Sequence, residues 1–357
     1  MPLIAQSHVQ ALSPYELAEM GKPGAIQLAS NEAAIAASPL AIEAARDAMA
    51  RPQLYPDTEA RALREALGEI HDIEPERIVC TAGSMEVILY LALAYLGSGT
   101  EALTSRYGYL FFDTATRIAG GRVVRAEEPG MTVDIDHLLR AVTPETRILF
   151  LANPNNPTGT LLDIQSIRAL QRDLPDHVLL VLDAAYGEFV SDPAYDDGLA
   201  LARESSRTVV LHTFSKIHGL AGMRIGWAYG PPDVVDMVHR LRLPNSLTAP
   251  SLAAAHAAVR DSKHVDHHRE LNNHLRAMFE SAVTPMGLKA VRGHGNFVLV
   301  RFPGGADQAA NTYDALKQRD IILRPMGGYK LPDCLRVTLG PEDDLQTAIA
   351  ALRDVLI

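Results

Sequence analysis

Thr213-Phe-Ser-Lys-Ile-His-Gly-Leu-Ala-Gly-Met-Arg-Ile-Gly226 follows an apolar, β-branched run, Thr208 to Leu211. The order is strand, basic residue, glycine-rich loop, second basic residue at Arg224. Gly219, Gly222 and Gly226 are expected to break any regular element. A loop of this kind at a sheet edge presents a lysine to a bound anion. A lysine among apolar neighbours loses its charge readily, because burial disfavours the ammonium. Lys216 is therefore a candidate Schiff-base nucleophile. The glycines let the backbone approach a phosphate, and Ser215 and Arg224 can bond one. Taken alone, the stretch also fits a glycine-rich surface loop with an incidental lysine.

Working outward, the strand-then-loop pattern repeats. Ile78–Thr81, Glu101–Thr104, Arg122–Ala126, Arg147–Ala152, Val178–Asp183 and Thr208–His212 read as strands. Helices fit at Leu40–Ala50, Thr58–Ile70, Ser84–Leu96, Leu110–Ile118, Asp163–Asp173 and Asp233–Arg242. Strands alternating with helices imply a doubly wound, mostly parallel sheet with helices on both faces. Ligands of such sheets sit beyond the carboxyl ends of the strands. A long helical region, Ala249 to Val283, precedes a smaller α+β pattern with strands at Asn296–Phe302, Ile321–Leu323 and Leu335–Leu339. Helices at Gln308–Arg319 and Glu342–Leu356 complete it. The expected division is an N-terminal arm contributing to the small domain (1–50), a large domain (51–255) and a small C-terminal domain (256–357).

Composition narrows the function. The 357 residues carry a net charge of -10, which argues against nucleic-acid binding. Cys80 and Cys334 match no metal spacing and suit buried thiols in a reducing compartment. No apolar run reaches membrane-span length, and the first residues lack a signal-peptide pattern, so a cytoplasmic location is expected. His264, His267, His268 and His274 recur at helical spacing and read as a solvated face rather than a metal site.

Three features beside the lysine loop carry chemistry. Gly83-Ser84 opens an apolar helix, where free backbone N–H groups favour an anion, or where the serine simply caps. Asn153-Pro-Asn-Asn-Pro-Thr-Gly159 is a turn after a buried strand, and Asn156 can turn its amide inward. Asp183 ends a nearly all-apolar strand, where a carboxylate needs a partner. Alone, Asp183 could be a strand-end cap and Tyr186 a packing residue. Together, Asn156, Asp183, Tyr186, Lys216 and Arg224 match the needs of pyridoxal phosphate: a lysine for its aldehyde, a carboxylate opposite its ring nitrogen, donors to its phenolic oxygen and an anion site.

On these motifs the chain resembles the fold-type I, pyridoxal-phosphate-dependent aminotransferases of class I/II, and among them the histidinol-phosphate aminotransferase group. Leu28-Ala-Ser-Asn-Glu32, Tyr55-Pro-Asp57, Tyr107-Gly-Tyr109 and Arg324-Pro-Met-Gly-Gly-Tyr329 leading into Leu335-Arg-Val-Thr-Leu-Gly340 extend the resemblance over nearly the whole chain. It implies that Lys216 is the Schiff-base lysine and proton shuttle, with Asp183 the ring-nitrogen partner. Tyr107 would stack on the ring, Asn156 and Tyr186 would reach its phenolic oxygen, and Ser84, Met85, Ser215 and Arg224 would hold the phosphate. Tyr55 would reach the cofactor of a neighbouring subunit, making a homodimer. Arg336 and Arg324 would meet the substrate's carboxylate or phosphate, with Asn31 and Tyr15 beside them. The substrates would be a small-molecule amino donor and a 2-oxo acid acceptor.

The chain departs from the group where Ala33-Ala-Ile-Ala-Ala-Ser-Pro39 replaces a more polar, rigid segment. Met85, Ala184 and Leu243-Pro-Asn-Ser-Leu247 are further departures. A rewritten substrate wall is the expectation, with a donor other than histidinol phosphate. Decarboxylation or oxygen-dependent oxidation on the same fold is the competing chemistry, and a non-catalytic binding role ranks last because Lys216 is present.

Overall fold

Apolar runs too continuous for a surface element form the centre of the molecule. The computed structural model describes residues 3–15 and 17–356. After α1 (Ser7–Gln10), β1 (Ile26–Gln27), α2 (Pro39–Ala48) and α3 (Arg61–His71), strands and helices alternate. They are β2 (Ile78–Thr81), α4 (Ser84–Tyr95), β3 (Glu101–Ser105), α5 (Leu110–Ile118), β4 (Arg122–Ala126) and α6 (Ile135–Ala141), then β5 (Thr146–Ala152), α7 (Ile164–Asp173), β6 (Leu179–Asp183), α8 (Leu199–Glu204), β7 (Thr208–Thr213), β8 (Gly226–Tyr229) and α9 (Pro232–Leu241). The chain finishes with α10 (Ala249–Arg260), α11 (Ser262–Val283), β9 (Lys289–Val291), β10 (Phe297–Arg301), α12 (Gly305–Lys317), β11 (Ile321–Ile322), β12 (Arg324–Pro325), β13 (Cys334–Thr338) and α13 (Glu342–Leu356).

The large sheet has the order β2-β8-β7-β6-β5-β3-β4. The strands from β7 to β4 are parallel, and β8 runs antiparallel to both its neighbours. Side chains alternate between two cores: Ile148 and Phe150 of β5 enter one, Leu149 and Leu151 the other. Both faces are covered by helices, which is why these strands read as unbroken apolar runs. The expected α/β architecture, a doubly wound and mostly parallel sheet, is present. A second, antiparallel sheet, β12-β13-β10-β9, shares a third core with α11, α12 and α13 through Phe279, Leu316 and Leu345.

The first 50 residues divide their packing. β1 pairs in parallel with β11 beside the smaller sheet. α2 packs on α10 and joins a core of the large sheet, where Ala41 and Ala45 share space with Ala254, Ala255 and Ala258.

Three local expectations need correction. Gly226 does not break structure; it begins β8. A Cβ there would sit 2.5 Å from the Ser84 nitrogen and 2.9 Å from the Gly83 carbonyl carbon, so only glycine lets this strand lie under the start of α4. The long helical region is two helices separated at Asp261, whose carboxylate accepts from the His264 N–H at 3.2 Å and the Ser38 hydroxyl at 2.5 Å. The histidine face of α11 is not wholly solvated. His268 is buried, and its Nδ1 lies 2.6 Å from the Ile217 carbonyl. Cys80 and Cys334 are buried thiols, and no helix among the described residues is long and apolar enough to cross a membrane.

Candidate active site

The carboxyl ends of β5, β6 and β7 open into a cavity of about 260 Å³. Lys216 reaches it from the loop after β7. That loop is held on both sides, because β7 and β8 pair antiparallel across it. The Lys216 ammonium donates to the carbonyls of Asn31 at 3.0 Å and Ser30 at 3.4 Å. Burial, reinforced by the Arg336 and Arg224 charges, lowers its pKa to about 8. An amine in that range gives up its proton without difficulty at neutral pH.

Asp183 ends β6 on the cavity wall, and its carboxylate accepts from the Ala185 N–H at 3.0 Å. Burial raises it to about 6, against the opposing pull of that N–H, His212 and Lys216. Tyr186 follows, and its hydroxyl accepts from the Asn31 side-chain amide at 2.8 Å. Asn31 itself has a left-handed backbone (φ 54) pinned by Thr338, whose hydroxyl accepts from its N–H at 2.9 Å.

The asparagines of the turn after β5 divide their work. Asn153 bonds both backbone groups of Leu162, and Asn155 donates to the Tyr107 carbonyl and to Thr158. Asn156 faces the cavity and accepts from Arg336 Nη1 at 2.6 Å. Arg336, on β13 of the smaller sheet, also donates to the Ala29 carbonyl at 2.8 Å, while its buried Nε has no protein partner. This arginine therefore spans from one sheet to the other. Arg324 lies directly opposite it in the β12–β13 register and lines the same cavity. Two like charges on facing strand positions repel.

At the other end, α4 begins at the cavity, with Ser84 and Met85 of its first turn in the wall. Arg224 has a left-handed backbone (φ 51); its guanidinium donates to the Ser215 hydroxyl at 3.3 Å and the Ala221 carbonyl at 2.9 Å. A side chain at Gly83 would collide with that guanidinium. Helix N-terminus, hydroxyls and arginine make an anion cradle.

The cavity thus gathers Ser84, Met85, Asn156, Asp183, Tyr186, Ser215, Lys216, Arg224, Arg324 and Arg336, together with Asn31 and Tyr15. One residue expected at this cavity lies elsewhere. Tyr107 is off the wall: its N–H donates to Glu128 at 3.0 Å, and its ring packs beside Arg106 and a cluster containing Met131. The tyrosine that lines the cavity at this point is Tyr109, whose hydroxyl burial pushes well above its ordinary range. Tyr55 is 85% exposed and does not line the cavity. The segment 33–39 and residues 243–247 are absent from the wall of this cavity, whereas Met85, a further departure, lines it. Sequence reasoning missed Tyr109 and Tyr329 as wall residues, although both sit beside glycines in motifs already singled out.

The family model for aminotransferase class I and II matches residues 23–352. A histidinol-phosphate aminotransferase from Rhodopseudomonas palustris (strain HaA2) is 41% identical over 350 residues, covering 97% of this chain and 96% of that protein. One from Rhodospirillum centenum is 43% identical over 348 residues, covering 97% and 96%. Among solved structures, the histidinol-phosphate aminotransferase of Sinorhizobium meliloti in complex with pyridoxal-5'-phosphate superposes with a TM-score of 0.92. It is 26% identical, with 99% of this chain and 97% of that chain covered. These relatives favour amino transfer over decarboxylation or oxidation. The chain belongs to the class I and II aminotransferases, and it is a pyridoxal-phosphate-dependent aminotransferase of fold type I.

Proposed function

We propose that the chain moves an amino group from a phosphorylated amino alcohol, histidinol phosphate, to a 2-oxo acid. The observation that carries the donor class is the pair Arg324 and Arg336, facing each other across two strands and lining one cavity. Both side chains line the one cavity, where an anion can meet the two together. A dianionic phosphate suits two guanidinium groups better than a single carboxylate does. The relatives named for histidinol phosphate support the same donor. This reading differs from the expectation of a different donor, of whose four departures Met85 alone lines the cavity.

The residues present fit the cofactor. Gly83 and Gly226 leave room for the Arg224 guanidinium and the first turn of α4, which a Cβ at either position would strike, so the anion cradle keeps its shape. When bound, pyridoxal phosphate supplies an aldehyde that takes up the donor's amine and a ring that accepts an electron pair from its α-carbon. Ser84, the Met85 N–H, Ser215 and Arg224 would bind its phosphate. Asp183 would hold a proton on the ring nitrogen. Asn156 and Tyr186 would donate to the phenolic oxygen. Lys216 Nζ, neutral once it leaves its carbonyl partners, would remove the α-proton and return it to the carbon that had been the aldehyde. Tyr109 replaces Tyr107 as the aromatic wall in this reading.

We read residues 51–255 as the large domain and 256–357 as the small one, with the first 50 shared between them. The exposed Tyr55 fits a residue that completes the cavity of a second copy, which makes the working form a homodimer.

A second reading, an aromatic amino acid as donor, draws on the tyrosine wall of Tyr15, Tyr109 and Tyr329. A donor panel separates the two. Purified, cofactor-loaded protein is mixed with 2-oxoglutarate and either histidinol phosphate or each aromatic amino acid. The first reading expects kcat/KM for histidinol phosphate to exceed the others by at least tenfold. A reversed order overturns it.

A further inference from the structure

We infer that Thr338, on β13 of the smaller sheet, is a positioning residue: it turns the Asn31 amide so that Tyr186 gives its own proton to the group bound in the cavity. The inference rests on the reading of Tyr186 as a donor to the cofactor's phenolic oxygen.

Thr338 is 1% exposed, and its hydroxyl meets Asn31 twice. It accepts from the Asn31 N–H at 2.9 Å and donates to the Asn31 side-chain oxygen at 3.3 Å. A hydroxyl carries one proton, and a buried one needs an acceptor. Were the amide turned round, its NH2 group would face the hydroxyl, and that proton would have no acceptor there. Asn31 therefore keeps its oxygen toward Thr338 and its nitrogen toward Tyr186, donating to the tyrosine hydroxyl at 2.8 Å. A phenolic oxygen that accepts one hydrogen bond still has its own proton to give. Tyr186 lines the cavity, so that proton is directed there. With the amide reversed, the amide oxygen would take the proton instead, and the cavity would lose a donor.

The surrounding frame holds this relay in place. The Asn31 carbonyl accepts from Asn296 Nδ2 at 3.1 Å, and the same amide donates to the Glu32 carbonyl at 3.0 Å. The backbone of Asn31 is thus bonded on both sides, to Thr338 and to Asn296. Phe297 follows Asn296 and lies directly opposite Thr338 in the β10–β13 register. Its ring meets the Tyr186 ring edge-on, with centroids 5.2 Å apart and an 81° interplanar angle. Two facing residues of the smaller sheet therefore govern Tyr186: Phe297 places the ring, and Thr338, through Asn31, sets the direction of its hydroxyl bond. The charges facing Tyr186 come from Asp183, Lys216 and Arg336, with Tyr15 the titratable group beside them. An exchange of uncharged residues at position 338 alters none of them, so a shift reports the hydrogen bonds.

The test reads the cofactor rather than turnover. Full-length protein is loaded with pyridoxal phosphate, and the visible absorption of the bound cofactor is followed against pH without substrate. A bond donated to the phenolic oxygen favours the more negatively charged form, the one that has lost its proton. Tyr186→Phe is expected to raise the midpoint by about 0.5–1 pH unit, the worth of one neutral hydrogen bond. Thr338→Val keeps the branched shape without the hydroxyl, and raises the midpoint in the same direction by no more than Tyr186→Phe does. Thr338→Ser restores the wild-type midpoint. In a Tyr186→Phe background, Thr338→Val adds nothing. Thr338→Ala serves if Thr338→Val does not fold. A wild-type midpoint in the folded Thr338 variants, or a Thr338→Val shift that persists without the Tyr186 hydroxyl, overturns the inference. Tyr186→Phe separates the two readings. If it leaves the midpoint unchanged, the role of Tyr186 itself fails; if it alone shifts the midpoint, only the role of Thr338 does.

Discussion

Replacing Gly226 with alanine tests whether the strand beneath α4 sets the height of the anion cradle. The added methyl would lie 2.5 Å from Ser84 N, 2.9 Å from Gly83 C and 3.0 Å from His212 O. All three atoms are backbone, so no rotamer change relieves the contact. Ordinary carbon contacts lie at roughly 3.5–4.0 Å, which means the chain must open by about 1 Å. Overpacking of this kind costs about 1–3 kcal/mol. β8 is hydrogen-bonded on both edges, whereas the first turn of α4 is bonded on one side only. The opening therefore falls on Gly83 and Ser84. If that cost appears in cofactor binding, affinity drops by about 5- to 150-fold. Absorbance titration of cofactor-free protein with pyridoxal phosphate measures it, and thermal melting of the same protein reports the fold. Gly222→Ala is the matched control, since a Cβ there meets nothing within 4 Å. A folded Gly226→Ala protein that binds cofactor within twofold of wild type would refute the reasoning.

Three further outcomes follow from the geometry. Lys216→Ala should lose about 10²–10⁴-fold or more in transamination, the range of general acid–base groups, while still binding cofactor; single-turnover kinetics with a pre-bound donor checks it. Arg336→Lys cannot serve both Asn156 and Ala29 and reach the donor as well. It should raise KM for the donor and cost about 1.5–3 kcal/mol of stability, the loss of a charge-assisted bond; an unchanged KM would count against the anion role. His212 lies 3.2 Å from a Glu188 carboxylate oxygen and 3.5 Å from one of Asp197, and this cluster makes stability pH-dependent. His212 is raised from 6.5 to about 10, so its contribution is complete below pH 6.5 and lost as pH climbs toward 10. Glu188 and Asp197 are lowered, so theirs is present above the ordinary carboxylate range and lost as acid protonates them. Melting temperature against pH should fall on the alkaline side, and His212→Gln should flatten that fall.

The sheet was legible because buried parallel strands have no polar face to interrupt them. β5 and β6 declare themselves as continuous apolar runs, and Asn156, Asp183 and Lys216 stand where those runs stop. β8 was hidden because its first residue is a glycine, which elsewhere ends structure. Here glycine is required by a neighbour 142 positions earlier in the chain, Ser84. Tyr107 and Tyr109 flank one glycine, and residue type alone cannot say which ring turns to the cavity. The facing of Arg324 and Arg336 emerges only from strand register. His212 looked like a polar residue at the end of a strand. Its two carboxylate partners arrive from separate loops, so no spacing rule connects them.

The bond from Arg336 to Asn156 joins a residue of the smaller sheet to the turn that ends a strand of the larger one. The side chain that would greet a substrate is also a rivet between two halves of the molecule. A lineage changing its diet at this position would loosen its own joint in the same step. New donors are more readily won by editing Met85, which lines the same chamber and packs on a core of the larger sheet alone.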